Sequence, residues 1–256
     1  MFMKIQYASD LHLELVPNAR YMKSNPLDVV GDVLVLAGDI CNLKGAMLSC
    51  AEFLQWASVN YREVLVVPGN HEYFHDCDML AHGDSWSMEI LPNVHYHQNR
   101  VVRIDNVDFV LSTMWSHIPV QCEEVVYQAM PDFRQIIYGD RRLTPADFNA
   151  EHDKSVAFIK RSVAESTAEH IVVVTHHLPS LAVVAPKHKG SLIGSAFVAD
   201  LGDFIADSGI DAWIFGHSHA SIEAQIGDTH LLSNQFGYVY NCEHLNGFEA
   251  GKFIEL

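Results

Sequence analysis

Five short stretches of the 256-residue chain carry side chains able to bind a metal or move a proton: Asp10 with His12, Asp39, Asn70 with His71, His176 with His177, and His217 with His219. Carboxylate and amide oxygen mixed with imidazole nitrogen, and no thiolate, suits manganese, iron or zinc rather than calcium, copper(I) or an iron–sulfur cluster. The set holds more ligands than one catalytic ion with an open position needs, so two ions are expected. With Asp10 and Asp39 as the only anionic ligands, two dications keep a net charge of about +2, which attracts an anion. A phosphate ester fits that charge. Two ions roughly 3.5 to 4 Å apart can clamp its oxygens and lower the pKa of a bridging water for in-line attack.

Each group must be placed by the element before it, and each follows a short run that reads as a strand. Residues 4–9 precede Asp10-Leu11-His12, and Val33-Leu34-Val35-Leu36 lies within 32–37, before Gly38-Asp39. Residues 63–67, then Pro68, lead into Gly69-Asn70-His71-Glu72. Residues 171–175 deliver His176-His177, and 211–215 deliver Gly216-His217-Ser218-His219. Such runs read as strands buried on both faces. In an open α/β sheet, ligand groups collect beyond the carboxyl ends of the strands, so these residues are predicted to converge although they are far apart in the chain. The glycines at 38, 69 and 216 read as turn residues that also let the backbone pass closely beneath a site.

Between these stretches the pattern predicts a crossover helix over 46–60, with Leu48, Phe53, Trp56 and Val59 on its spacing. Residues 74–100 are irregular and polar, and His75, His82, His95 and His97 read as solvated loop residues. A hairpin is expected over 101–111. The aperiodic stretch 115–142 completes an insert at about 74–142, which ought to shape specificity. Its Arg134, Arg141 and Arg142 could grip a phosphate but read as a salt-bridged face, and Trp115 reads as core. Thr144-Pro145 with Asp147 starts a helix reaching about residue 165. A further helix is expected over 196–207, strands at 222–226 and 230–233, and an edge strand at 253–255.

Thirty-two acidic against sixteen basic side chains give a formal charge of -16, which repels a phosphate backbone. Long nucleic acid is therefore a disfavoured partner, and a nuclease would need a basic groove. With 49% hydrophobic and 19% charged residues, the chain is expected to form one domain over 1–256. No apolar run approaches the length, roughly 20 residues, that spans a bilayer. Lys4, Gln6 and Asp10 interrupt the start of the chain, so a soluble cytoplasmic protein is expected. Cys41, Cys50, Cys77, Cys122 and Cys242 are odd in number and scattered, which predicts free thiols.

Taken in order, Asp10-Leu11-His12, Gly38-Asp39, Gly69-Asn70-His71-Glu72, Thr175-His176 and Gly216-His217-Ser218-His219 resemble the five blocks of the calcineurin-like metallophosphoesterase superfamily, over residues 4 to about 240. Ser233-Asn234-Gln235-Phe236-Gly237-Tyr238 is similar to the stretch after the last block in many bacterial members, often S-N-P-R-G-Y, from which Gln235 and Phe236 depart. The resemblance implies an α/β two-sheet sandwich flanked by helices, with a binuclear site. Asp10, His12 and His219 would hold the first metal, Asn70, His176 and His217 the second, and Asp39 would bridge them. Manganese is the expected ion, with iron or zinc as alternatives. His71 would sit beside the substrate, stabilising the transferring phosphoryl group or protonating the leaving oxygen. Matching T-H-x-P-P to Thr175-His176-His177-Leu178-Pro179 selects His176 as ligand and leaves His177 packed behind it. The expected function is hydrolysis of a phosphodiester or small phosphomonoester, with nucleotide-derived esters among the candidates, by a metal-bridging hydroxide without a covalent enzyme intermediate. The rival reading is the same fold kept as a catalytically silent binding scaffold, which has no physical need of a complete ligand set.

Overall fold

The computed structural model describes residues 2–43 and 50–256. The apolar runs are strands, and the order in which they pair decides where their ends lie. In chain order the strands are β1 (Lys4–Ala8), β2 (Val33–Ala37), β3 (Glu63–Val67), β4 (Trp86–Leu91), β5 (Val94–Gln98), β6 (Arg100–Ile104) and β7 (Val107–Ser112). They continue with β8 (Ile137–Tyr138), β9 (Arg141–Arg142), β10 (His170–Thr175), β11 (Ala212–Phe215), β12 (Ala224–Ile226), β13 (Thr229–Ser233) and β14 (Phe253–Glu255). One six-stranded sheet has the order β14-β1-β2-β3-β5-β4 and the other β12-β13-β11-β10-β7-β6. In each, four parallel central strands are flanked by antiparallel edge strands.

Alternation along a strand sends successive side chains to opposite faces. Val33 and Val35 therefore join Ile5, Tyr7, Leu65 and Val67 between the sheets, where they meet Phe109, Leu111, Val172, Val174 and Ile214. Leu34 and Leu36 point outward with Val64 and Val66, into a core shared with Met22 of helix α1 (Val16–Ser24) and Leu54 and Ala57 of α2 (Ala51–Asn60). That core also takes Val126 of α3 (Glu123–Ala129) and Phe133 of α4 (Asp132–Gln135). Behind the second sheet, Val173, Trp213 and Phe215 pack on Ile159 and Val163 of α5 (Pro145–Glu165) and Ile205 of α6 (Gly202–Ala206). The chain is a two-sheet sandwich flanked by helices. No helix among the described residues is long and apolar enough to cross a membrane.

Helix α5 starts where Thr144 predicts. Its Oγ1 accepts the Asp147 N–H at 3.3 Å while Asp147 Oδ2 accepts the Thr144 N–H at 3.0 Å, a reciprocal cap. Three expectations change, and a fourth falls partly outside the described residues. The segment 74–142 is divided, because β4 and β5 extend the first sheet and β6 and β7 close the second; His95 and His97 thus lie on a strand. The helix expected over 196–207 is only α6. Ahead of it the Ala199 N–H bonds to Leu178 O at 2.8 Å and Phe197 O accepts from Leu178 N–H at 3.0 Å, so an extended pairing uses the donors a helix would need. The first residues of the expected crossover helix lie outside the described residues, and α2 covers the rest. Finally, Cys41 and Cys50 are disulfide-bonded rather than free thiols, a pairing that their spacing does not reveal.

Candidate metal centre

The five groups singled out in the sequence follow the carboxyl ends of β1, β2, β3, β10 and β11. The parallel cores of both sheets deliver them to one place. Asp10, His12, Asp39, His217 and His219 all adopt left-handed backbone, with φ of 56°, 47°, 55°, 78° and 49°. Aspartate and histidine tolerate that region better than most residues, but each still costs on the order of 1–3 kcal/mol, and such strain gathers at functional sites. Two glycines make room for this turn-rich floor. A Cβ on Gly69 would collide with Asp39 Oδ1, and one on Gly216 would stand 2.7 Å from Asp10 Oδ2.

Two clusters of the expected ligands result, and a third group, His12 with Glu14 and His71, adjoins the first. Ligand atoms of Asp10, His12 and His219 lie within 4.8 Å of one another, and so do those of Asp39, His176 and His217. In the first, His12 Nε2 is 3.0 Å from His219 Nε2, which is 3.5 Å from Asp10 Oδ1. In the second, His176 Nε2 is 3.1 Å from both Asn70 Oδ1 and His217 Nδ1. Asp39 stands between: Oδ1 is 3.3 Å from His176 Nε2 and Oδ2 is 3.7 Å from His12 Nε2. His71 lies at the edge, with Nε2 4.0 Å from Asp39 Oδ2.

The far sides of these rings show what the near sides are for. His12 Nδ1 is 3.1 Å from Glu14 Oε1, His176 Nδ1 is 2.9 Å from Ala37 O, and His219 Nδ1 is 2.6 Å from Glu243 Oε2. An acceptor on Nδ1 fixes the tautomer and leaves the Nε2 lone pair facing inward, the usual support of a metal-binding histidine. Inward lone pairs and carboxylate oxygens crowd one another unless a cation lies among them, so the residues fit a pair of metal ions. His217 turns Nδ1 inward, and its Nε2 is buried without a hydrogen-bond partner among the described residues.

Charge follows the same pattern. Burial, with the neighbouring His71, lowers the pKa of His12, and burial with His177 and His176 holds His217 well below the ordinary histidine value. Both are thus neutral, as ligands must be. Burial opposes protonation of His176 and His71 too, but the Asp39 charge together with other partners, Asp39's hydrogen bond and Asp10 for His176 and Glu14 for His71, outweighs it and raises each to about 9. Burial would raise Asp39, yet His176, His71 and His12 together hold it well below the carboxylate range.

His177 is no part of either cluster. It is fully buried, its ring 4.2 Å from that of His217 and 5.2 Å from that of Trp115. Arg141 pairs with Asp147 at 2.5 Å, Arg142 with Asp76, and Arg134 donates to Gln128 O at 2.9 Å, so the three arginines are engaged within the protein. Trp115 is core. Four supporting residues draw no role from the sequence: Glu14 and Glu243, which carry no signal, and Glu72 and Tyr238, which lie in the matched stretches; the Tyr238 ring packs on His12 and His219 with its hydroxyl 3.5 Å from His71 Nε2.

Residues 3–221 match a family model described as calcineurin-like phosphoesterase. An uncharacterized protein of Acanthamoeba polyphaga mimivirus is 27% identical over 270 residues, spanning 95% of this chain and 94% of that one. Phosphopantetheinyl hydrolase of Mycobacterium tuberculosis shares the fold at a TM-score of 0.67 and 15% identity, over 98% of this chain and 95% of that one. With two clusters of candidate ligands at the strand ends of a two-sheet sandwich and a family match over most of its length, the chain belongs to the calcineurin-like phosphoesterase family.

Proposed function

We propose that the protein is a metal-dependent hydrolase of a phosphodiester or small phosphomonoester. Asp10, His12 and His219 would hold one divalent ion, Asn70, His176 and His217 a second, with Asp39 shared; manganese is the first choice and iron or zinc the alternatives. The observation that carries this reading is Asp39, whose two oxygens face His12 of one cluster and His176 of the other. Such ions, when bound, neutralise phosphate charge and lower the pKa of water. The chain's own residues do the rest. His71, held through Nδ1 by Glu14 at 3.1 Å, keeps Nε2 free to protonate the leaving oxygen. Glu14 remains its partner when cations offset the Asp39 charge. The Tyr238 hydroxyl steadies the same nitrogen from the other side.

The test is hydrolysis of a chromogenic phosphodiester and its matching monoester by chelator-treated protein titrated with manganese. A saturable, manganese-dependent rate is expected. Asp39→Asn should lose both metal occupancy and turnover, and full activity in that variant would end the assignment. His71→Ala should keep its metal and lose about 10²- to 10⁴-fold in rate; loss of metal with little change in rate per bound ion would instead make His71 a ligand.

A further inference from the structure

Beside the His217 edge of the metal centre lies a cavity of about 930 Å³ that none of the assigned roles uses. Its wall is formed largely by Leu178, Leu181, Val184, Ile193, Phe197 and Val198. It adjoins the centre. Phe197 is at once cavity wall and a ring stacked on His217, centroids 4.5 Å apart. Ser218, between two proposed ligands, also lines the cavity, and its carbonyl oxygen lies 3.2 Å from Nε2 of another lining residue, His188.

We infer that this cavity receives an uncharged apolar arm on the alcohol of the phosphate ester, an alkyl-like group rather than a sugar or nucleobase. The inference rests on the phosphoesterase reading for the position of the phosphate. The volume is at the upper end of small-molecule sites, roughly 300–1,000 Å³, which are mostly apolar with a few polar groups fixing orientation. Here most polar groups are spent or peripheral, and the buried Oγ of Ser195, without a hydrogen-bond partner among the described residues, is one hydroxyl in a largely apolar wall. His188 is committed to Ser218, while Lys189 and Asp200 are exposed at the rim. A nucleobase needs an aromatic face to stack on and buried donors to read its edge. Among the described residues, the one aromatic side chain that lines the cavity besides histidine is Phe197, and its ring is stacked on His217. An apolar arm needs neither, and Leu181, 57% exposed at the mouth, offers it surface on entry.

Calorimetric titration of the full chain with methyl phosphate and hexyl phosphate, manganese-loaded and chelator-treated, tests this. A buried methylene is worth about fourfold in affinity, so hexyl phosphate should bind more than about 30-fold tighter than methyl phosphate in both states even where burial of the arm is partial. Leu181→Asp, an exposed position that should leave folding intact, and Val184→Asp should each cut that ratio below about tenfold, while Val59→Asp on α2 should keep it. Equal binding of the two phosphates, or a ratio that survives both cavity variants, would overturn the inference. So would a dimer that Leu181→Asp converts to monomer while the two phosphates bind alike, which would assign the cavity to a second copy. Preference for hexyl phosphate with no effect of manganese and no ester hydrolysis would uphold the cavity and count against the phosphoesterase reading instead.

Discussion

The Glu72 carboxylate touches none of the proposed ligand atoms, yet it fixes the backbone that carries them. Oε2 accepts the N–H groups of Asp39 at 2.9 Å and Gly69 at 2.7 Å, and Oε1 those of Ile40 at 2.9 Å and Cys41 at 3.3 Å. One side chain thus ties the turn after β2 to the turn after β3. In Glu72→Gln an amide NH₂ would face backbone donors, leaving at least one buried N–H without an acceptor, at a cost of about 1–3 kcal/mol. Urea unfolding should show a loss of that size, and manganese titration an affinity about 10- to 100-fold weaker, as expected when support of a ligand is removed. Wild-type values in both would mean that other contacts hold these turns. The contrast with Asp39 explains which residues the sequence discloses. Asp10, His12, Asp39, Asn70, His176, His217 and His219 are ligand types immediately after apolar runs, so type and place coincide. Glu14, Glu72 and Glu243 act through contacts that only the folded chain creates, and a glutamate shortly after His12 looks like any solvated glutamate.

At the scale of elements, long buried strands and the capped helix α5 were legible because their signals are local: β-branched runs for β2 and β10, and Thr144 with Asp147 at the start of α5. The hairpin of β4 and β5 was not, because an edge hairpin with a half-exposed face mixes polar and apolar residues without a buried run. Nor were the short turns of 181–196, which have no periodicity to read, and they line the cavity. Another tie between elements has a pH signature. Arg103 on β6 donates to both oxygens of Asp108 on β7 at 2.7 Å, and Ser166 after α5 adds a bond of 2.6 Å to Asp108 Oδ2. The Arg103 hydrogen bonds, against the smaller opposing effect of burial, hold the Asp108 pKa below its ordinary value. A carboxylate lowered in the folded state stabilises above its unfolded pKa of about 3.9 and loses that contribution as pH falls through the folded value. Asp108→Asn should therefore lower the urea midpoint modestly at about pH 6, and the gap to wild type should close progressively below about pH 4. A gap that stays constant on acidification would mean that Asp108 acts through packing or neutral hydrogen bonds alone.

For the molecule as a whole, the proposed metal centre would also be a clasp between sheets. Asp10, His12, Asp39 and Asn70 extend from the first sheet, and His176, His217 and His219 from the second, so each cluster draws ligands from both. Without cations, strained turns and inward lone pairs would oppose closure of the sandwich at this end; with them, the same groups would hold it shut. Glu14 and Glu243, whose pKa values burial would raise but their histidine partners lower to about 2, place part of the chain's charge of -16 around the centre, which favours cations there. An ion that binds the folded chain alone, present at about 100 times its Kd, stabilises by about 2.7 kcal/mol. For a chain of this size that corresponds to a rise in Tm of roughly 5–10 °C. Chelator-treated protein should therefore melt that much lower than protein saturated with manganese. Asp39→Asn should lose at least half of the difference, because it removes the oxygens shared by both clusters. Measurement at about 0.15 M salt, where screening acts over about 8 Å, suppresses weak binding to the acidic surface. A rise that persists undiminished in Asp39→Asn would place the ions on that surface, and the absence of any rise would mean that the two sheets meet here without them.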